Sequence, residues 1–304
     1  MRRITRSLLP VLLFTACLSA LVGAQPQAKV DIIPDAVYGH KDGMALTMDV
    51  IKPKAGANGA ALIFVVSGGY ISNYTPPQQL AERSLFKELL TKGFTLIALR
   101  HGGSPKYLVP EIVADVRRGV RFIRFNAKQW GVDPNRLGVF CGSAGGHLSL
   151  MIGTASDNGD PKATEEFMRE SDRVAAVVAW FPPVDMRPLA RGLGAPNDGS
   201  VLSNFPALNF EKEKAADYSP IVFVTPDDAP TLLIHGDKDT LVPISNSQII
   251  YDAFQKNKVR SNFVTIEGAA HGFQNEAATR SNALTVGWFE QILVKDPAKP
   301  KGNQ

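Results

Sequence analysis

The sequence predicts an α/β fold: a mostly parallel central sheet flanked by helices, with an N-terminal β-hairpin and a small cap insertion. Two observations predict it. Short, almost wholly apolar runs recur at 60–66, 94–99, 137–140, 174–180, 231–234 and 263–266, which is how strands buried on both faces read. Amphipathic stretches with helical spacing lie between them, and strand–helix alternation of this kind builds a parallel sheet through right-handed crossovers.

Taken in order, the chain opens with Arg2, Arg3 and Arg6, an apolar run from Leu8 to about Val22, and the small residues Gly23 and Ala24 before Gln25. A charged start, an apolar middle and a small-residue end are the three parts of a secretory signal peptide. Residues 1–24 are therefore expected to be cleaved, leaving a secreted or periplasmic protein. Pro10 and the shortness of the run, against the roughly 20 apolar residues a span needs, argue against a transmembrane anchor. A second reading is a lipoprotein held through Cys17 in Phe14-Thr15-Ala16-Cys17.

Cleavage removes three arginines and no acid, so the formal net charge of +4 falls to about +1, which gives no electrostatic case for binding nucleic acid or an anionic membrane. The remaining chain keeps one cysteine, Cys141. No intramolecular disulfide can form, so stability has to come from a core. Residues 25–304 are long enough to build one, and a single domain with an insertion is expected. Oligomeric state is not encoded in any pattern of the sequence.

Residues 36–52 alternate apolar and polar around Lys41-Asp42-Gly43, the pattern of a hairpin with an Asp-Gly turn. Between Pro110 and Lys128, Ile112, Val116, Val120, Ile123 and Ala127 recur at spacings of three and four, with Glu111 and Asp115 near the start and Gly131 and Pro134 beyond the end. That is a helix with favourable dipole chemistry and a natural stop. Arg117, Arg121, Arg124 and Lys128 fall on another face of it, which is expected to be solvated.

The strand at 137–140 runs into Cys141-Gly142-Ser143-Ala144-Gly145-Gly146-His147. A sharp strand-to-helix turn of small residues lifts a serine hydroxyl out of the sheet and sets the next N–H, that of Ala144, at a helix N-terminus where it can stabilise an oxyanion. Further along come Asp239 in His235-Gly-Asp-Lys-Asp239-Thr-Leu-Val-Pro243 and His271 in Ala-Ala-His271-Gly-Phe. Nucleophile, acid and base then follow in the order Ser, Asp, His. Asp237 competes with Asp239 for the acid, since both follow the strand ending near Ile234; the Asp-x-x-Val-Pro spacing favours Asp239.

His40, His101, His147 and His235 are read as structural, with His147 pointing into the packing one turn past Ser143. Cys141 is read as an inert packed neighbour of the serine. Residues 181–230 break the strand–helix rhythm with prolines, glycines and asparagines, and an excursion of this kind in a compact fold usually closes over a site. Val201, Leu202, Phe205, Leu208 and Phe210 argue against a disordered insertion. No metal-ligand spacing occurs, and Gly142-Ser-Ala-Gly145 lacks the lysine of a phosphate loop, so no metal and no cofactor are expected.

On these segments the chain resembles the α/β-hydrolase superfamily, in its esterase/lipase branch near the BD-FAE-type and hormone-sensitive-lipase-like carboxylesterases. The resemblance covers about residues 36–294. It implies an α/β-hydrolase fold, Ser143 as nucleophile, Asp239 as triad acid and His271 as general base. The His-Gly-Gly-Gly oxyanion loop of such enzymes corresponds to Ser67-Gly68-Gly69-Tyr70, which implies oxyanion donors at Gly69, Tyr70 and Ala144. The implied activity is hydrolysis of small or carbohydrate-linked acyl esters through an acyl-enzyme, on a small-molecule ester substrate. Two alternatives stand beside it: a serine peptidase or amidase of prolyl-oligopeptidase type, and a non-catalytic hydrolase fold kept for binding.

Overall fold

The computed structural model describes residues 29–297. The expected signal peptide, Cys17 and the extreme C-terminus lie outside the described residues.

The six apolar runs each become a strand. They are β3 (Ala61–Val65), β4 (Thr95–Leu99), β5 (Leu137–Gly142), β6 (Ala176–Trp180), β7 (Thr231–Gly236) and β8 (Ser261–Ile266). Every residue of β4 and β7 is buried, as strands covered on both faces require. The hairpin pairs β1 (Val30–Lys41) with β2 (Met44–Pro53) and so starts six residues before the alternating pattern does. Two register shifts in β1, between Ile33 and Ala36 and between Val37 and Gly39, blur the alternation there. Asp42 and Gly43 turn the hairpin with φ of 48° and 78°, the left-handed geometry that Asp-Gly adopts in tight hairpins.

The sheet has eight strands in the order β1-β2-β4-β3-β5-β6-β7-β8. β2 runs antiparallel to β1 and β4, and every pairing from β4 through β3 to β8 is parallel. This is the α/β-hydrolase fold. Helices α1 (Pro77–Glu82), α2 (Ser84–Thr91) and α6 (Asn275–Phe289) pack on one face, around Leu89, Phe94, Phe140 and Phe289. Helices α3 (Val109–Asn126), α4 (Ala144–Thr154) and α5 (Ser245–Lys256) pack on the other, around Ile112, Val120, Leu148 and Phe254.

The arginine face of α3 corrects an expectation. Lys128 is exposed, but Arg117, Arg121 and Arg124 grip the chain that leaves α4. Arg117 Nε donates to Asp172 at 2.6 Å, Arg121 donates to Asp157 at 2.6 Å and to the Glu170 carbonyl at 2.8 Å, and Arg124 donates to the carbonyls of Ser171, Pro134 and Arg173. The irregular segment 155–175 carries backbone carbonyls without ladder partners, and guanidinium groups supply the missing donors. Helical period reports which residues share a face, not what covers it.

Residues 181–230 hold no strand; four short 3₁₀ turns punctuate them between Val201 and Phe223. Ala207, Leu208, Phe210 and Ala215 from this stretch are buried with α4 and α5 in the same core.

Candidate active site

The turn between β5 and α4 has to be sharp, and its small residues make that possible. Ser143 sits at φ 54°, ψ −125°, a region that costs a non-glycine residue about 1–3 kcal/mol. The surrounding backbone fixes it there: Ser143 N–H donates to the Trp180 carbonyl at 2.9 Å, and its own carbonyl accepts from His147 at 2.9 Å. Close approach explains the glycines. A Cβ on Gly145 would fall 2.3 Å from Cys141 Sγ, and one on Gly142 would fall 2.8 Å from the Phe181 ring. Cys141 thus replaces the first glycine of the elbow pattern without crowding it, because Gly145 leaves room for the sulfur.

The loop after β8 brings His271 to Ser143. His271 Nε2 lies 2.9 Å from Ser143 Oγ, and His271 Nδ1 lies 2.7 Å from Asp239 Oδ2. The carboxylate can only accept, so Nδ1 carries the ring proton and Nε2 is free to accept the serine proton. Asp239, its side chain fully buried, also accepts the N–H groups of Leu241 and Val242 on Oδ1, each at 2.9 Å. Asp237 points elsewhere: its Oδ1 accepts from Gly268 N–H at 2.6 Å and so ties the turn after β8.

The third element is the loop after β3. Gly68 and Ile71 exchange both backbone hydrogen bonds at 3.0 Å, which commits the Gly68 N–H and closes a tight turn with Gly69 and Tyr70 at its tip. Those two residues have φ of 56° and 65°, and among the described residues their backbone N–H groups donate to no other group. Ala144 is the first residue of α4, where an N–H has no intrahelical partner. The structure therefore leaves the Gly69, Tyr70 and Ala144 donors open and the Gly68 donor occupied.

Burial sets the remaining chemistry. It pushes the Cys141 thiol up to about 12, and the sulfur sits 3.8 Å from the Ser67 carbonyl, so no thiolate competes with Ser143 at neutral pH. Burial also lowers His147 to about 4, and lowers His235; both stay neutral. Among the described residues, no group of three or more His, Cys, Asp or Glu could hold a metal ion, and no helix is long and apolar enough to cross a membrane.

A family model described as BD-FAE matches residues 48–254, more than half of the chain and most of the sheet just described. The chain belongs to the BD-FAE family. Among curated proteins it is similar to the probable carboxylic ester hydrolase LipM of Mycobacterium tuberculosis, 25% identical over 86% of this chain and 60% of LipM. It is also similar to the acetylxylan esterase of Xylanibacter ruminicola, 28% identical over 66% of this chain and 38% of that enzyme. The chain thus spans six tenths or less of the length of these two relatives. Among solved structures, a truncated carbohydrate esterase from gut microbiota superimposes with a TM-score of 0.69 at 25% identity, covering 88% of this chain and 98% of that one.

Three features of this BD-FAE site have no clear signal in the sequence. Phe181, at φ 38° just past β6, sets its ring 4.6 Å from the His271 ring at 61° and is itself braced by Phe273 at 4.9 Å. His235 Nε2 lies 2.8 Å from the Val242 carbonyl and 3.3 Å from Asp239 Oδ2, with Ser247 Oγ on Nδ1 at 2.8 Å. Its position four residues before Asp239 is visible in the sequence, but its contact with that carboxylate is not. Phe205 lays its ring on the tip of the loop after β3, 3.2 Å from where a Gly69 Cβ would be.

Proposed function

We propose that this BD-FAE protein is an exported serine esterase that removes short acyl groups from small or carbohydrate-linked esters through Ser143, His271 and Asp239. The observation that carries the reading is the unbroken line from Ser143 Oγ through His271, 2.9 Å and 2.7 Å, to a buried carboxylate. His271 takes the proton as Ser143 Oγ attacks the acyl carbonyl, and Asp239 holds the ring tautomer and stabilises the imidazolium. The oxyanion gathers the Gly69, Tyr70 and Ala144 N–H groups. His271 then hands the proton to the departing alcohol, leaving an acyl-Ser143 that water hydrolyses by the same steps in reverse.

Substrate class rests on two supports. The relatives named as acetylxylan esterase and carbohydrate esterase point to sugar-borne acyl groups. Phe205 at the loop tip and Phe181 against His271 set aromatic rings beside the Gly69 and His271 ends of the site, and on this reading short acyl chains are the better fit. The N-terminal pattern of residues 1–24 supports export, and residues 181–230 are proposed to act as a cap over the site.

The test is hydrolysis of p-nitrophenyl acetate, butyrate and octanoate by the protein and by Ser143→Ala. Acetate is expected to be the best of the three, with kcat lost by about 10⁴-fold or more in the variant. Equal rates for protein and variant would refute the assignment, and turnover confined to aminoacyl amides would redirect it to a peptidase.

A further inference from the structure

Tyr70 is a residue with two ends in different environments. Its backbone is at the tip of the loop after β3, at φ 65°, where a side chain is disfavoured and glycine is the usual occupant. Its side chain is 3% exposed and runs down to α4, where the hydroxyl meets His147 Nδ1 at 3.2 Å. The two rings pack edge to face, 5.8 Å apart at 75°. On the far side, His147 Nε2 lies 2.7 Å from the Tyr218 carbonyl in the 181–230 insertion.

Donor and acceptor roles in this chain are fixed by elimination. The Tyr218 carbonyl can only accept, so His147 Nε2 carries the hydrogen and Nδ1 is bare. Nδ1 therefore accepts the Tyr70 O–H, whose one other hydrogen-bond partner among the described residues is a weak acceptor, Met186 Sδ at 3.7 Å. The carbonyl end is anchored as well: Ser219, next in the chain, donates to the Ala215 carbonyl at 2.8 Å and accepts the Met186 N–H at 2.8 Å. His147 is fully buried and lies on the first turn of the helix that begins at Ala144.

From this geometry we infer that Tyr70 and His147 are positioning residues for the oxyanion hole: their hydrogen bond sets the loop donors of Gly69 and Tyr70 against the Ala144 donor on α4. The inference rests on the serine-esterase reading of the site. Two open donors on a loop and one on a helix act together only when loop and helix hold a fixed separation, and this buried bond is the side-chain link between them. It also gives the unfavourable φ of Tyr70 a reason, since a glycine there would remove the anchor. The Tyr218 contact extends the link to the insertion, so a cap that shifts would move the donors with it.

The test compares the protein with Tyr70→Phe, which deletes one oxygen and keeps the ring. Expected are a kcat lower by about 10- to 100-fold, a KM for p-nitrophenyl acetate within about twofold, and affinity for a trifluoromethyl ketone that mimics the tetrahedral adduct weakened by the same factor as kcat. A kcat and ketone affinity both within twofold of the parent would overturn the inference. A second pair guards against a misfolded variant. His147→Asn keeps an acceptor where Nδ1 sits and should retain more kcat than His147→Leu, which has none; equal losses would also overturn it. Ser143→Ala run alongside separates the levels, because a parent no faster than that variant defeats the esterase reading itself and this inference with it.

Discussion

Cys141 is two residues from Ser143, the proposed nucleophile, and its chemistry is decided by its surroundings. The sulfur is packed against Gly145 and the Ser67 carbonyl, and burial holds the thiol protonated far above neutral pH. Cys141→Ala is expected to keep kcat within about threefold and to cost about 1 kcal/mol or less, because the site loses a small buried group and no hydrogen-bond partner of consequence. Esterase assays before and after treatment with iodoacetamide would check the same point, with no inactivation expected. At Ser143, His271 and Cys141 a motif narrows the choice of conformation, and residue types alone are informative. They are less so at the proposed acid. Asp237 and Asp239 differ in the sequence only by their distance from Val242-Pro243, whereas in space one ties Gly268 and the other meets His271.

Helix α3 shows what an element owes to its own sequence and what it owes to its neighbours. Its apolar stripe and its Glu111, which accepts the Leu108 N–H at 3.1 Å, are local and legible. Apart from the exposed Lys128, its basic face is tied down, since Arg117 and Arg121 enclose Asp172, whose side chain is fully buried. No period in the sequence encodes a partner 55 positions away. Asp172 also accepts the Asp157 N–H at 2.7 Å, so Asp172→Ala strips a carboxylate from two guanidinium groups and leaves a backbone donor unpaired. A loss of about 3 kcal/mol is expected, read as a lower urea midpoint at unchanged slope. The folded fraction should keep its kcat, since the segment 155–175 contacts none of the proposed catalytic groups. The same contrast holds for the strands. β3 to β7 were visible because both faces are covered, and the half-buried edge strand β8 by its apolar run, while the first six residues of β1 were hidden by bulges that disturb the alternation.

At the scale of the whole molecule, the buried histidines make stability depend on pH. His147 is fully buried between the Tyr70 hydroxyl and the Tyr218 carbonyl, and burial holds its folded value near 4, below the ordinary 6.5. The unfolded chain therefore takes up a proton near pH 6.5, and the folded chain does so only near pH 4. Lowering the pH through that window favours the unfolded state, by about 3 kcal/mol for a shift of this size. Urea denaturation at pH 7 and pH 4 should show the protein losing that amount relative to His147→Leu, which has nothing to titrate there; parallel curves for the two would refute it. The fold was legible as a whole because its sheet is read strand by strand. The links between segments, Tyr70 to His147 and Phe181 to His271, were not, because each joins residues that only the finished packing brings together.

The 128 positions between Ser143 and His271 also impose an order in time. A growing chain carries Ser143 long before His271, its proposed base, has been made, and the loop bearing that imidazole follows β8, the last strand of the described residues in sequence. On the proposed mechanism a chain interrupted before His271 is chemically silent towards esters. On that reading, hydrolysis reports a chain made at least as far as His271.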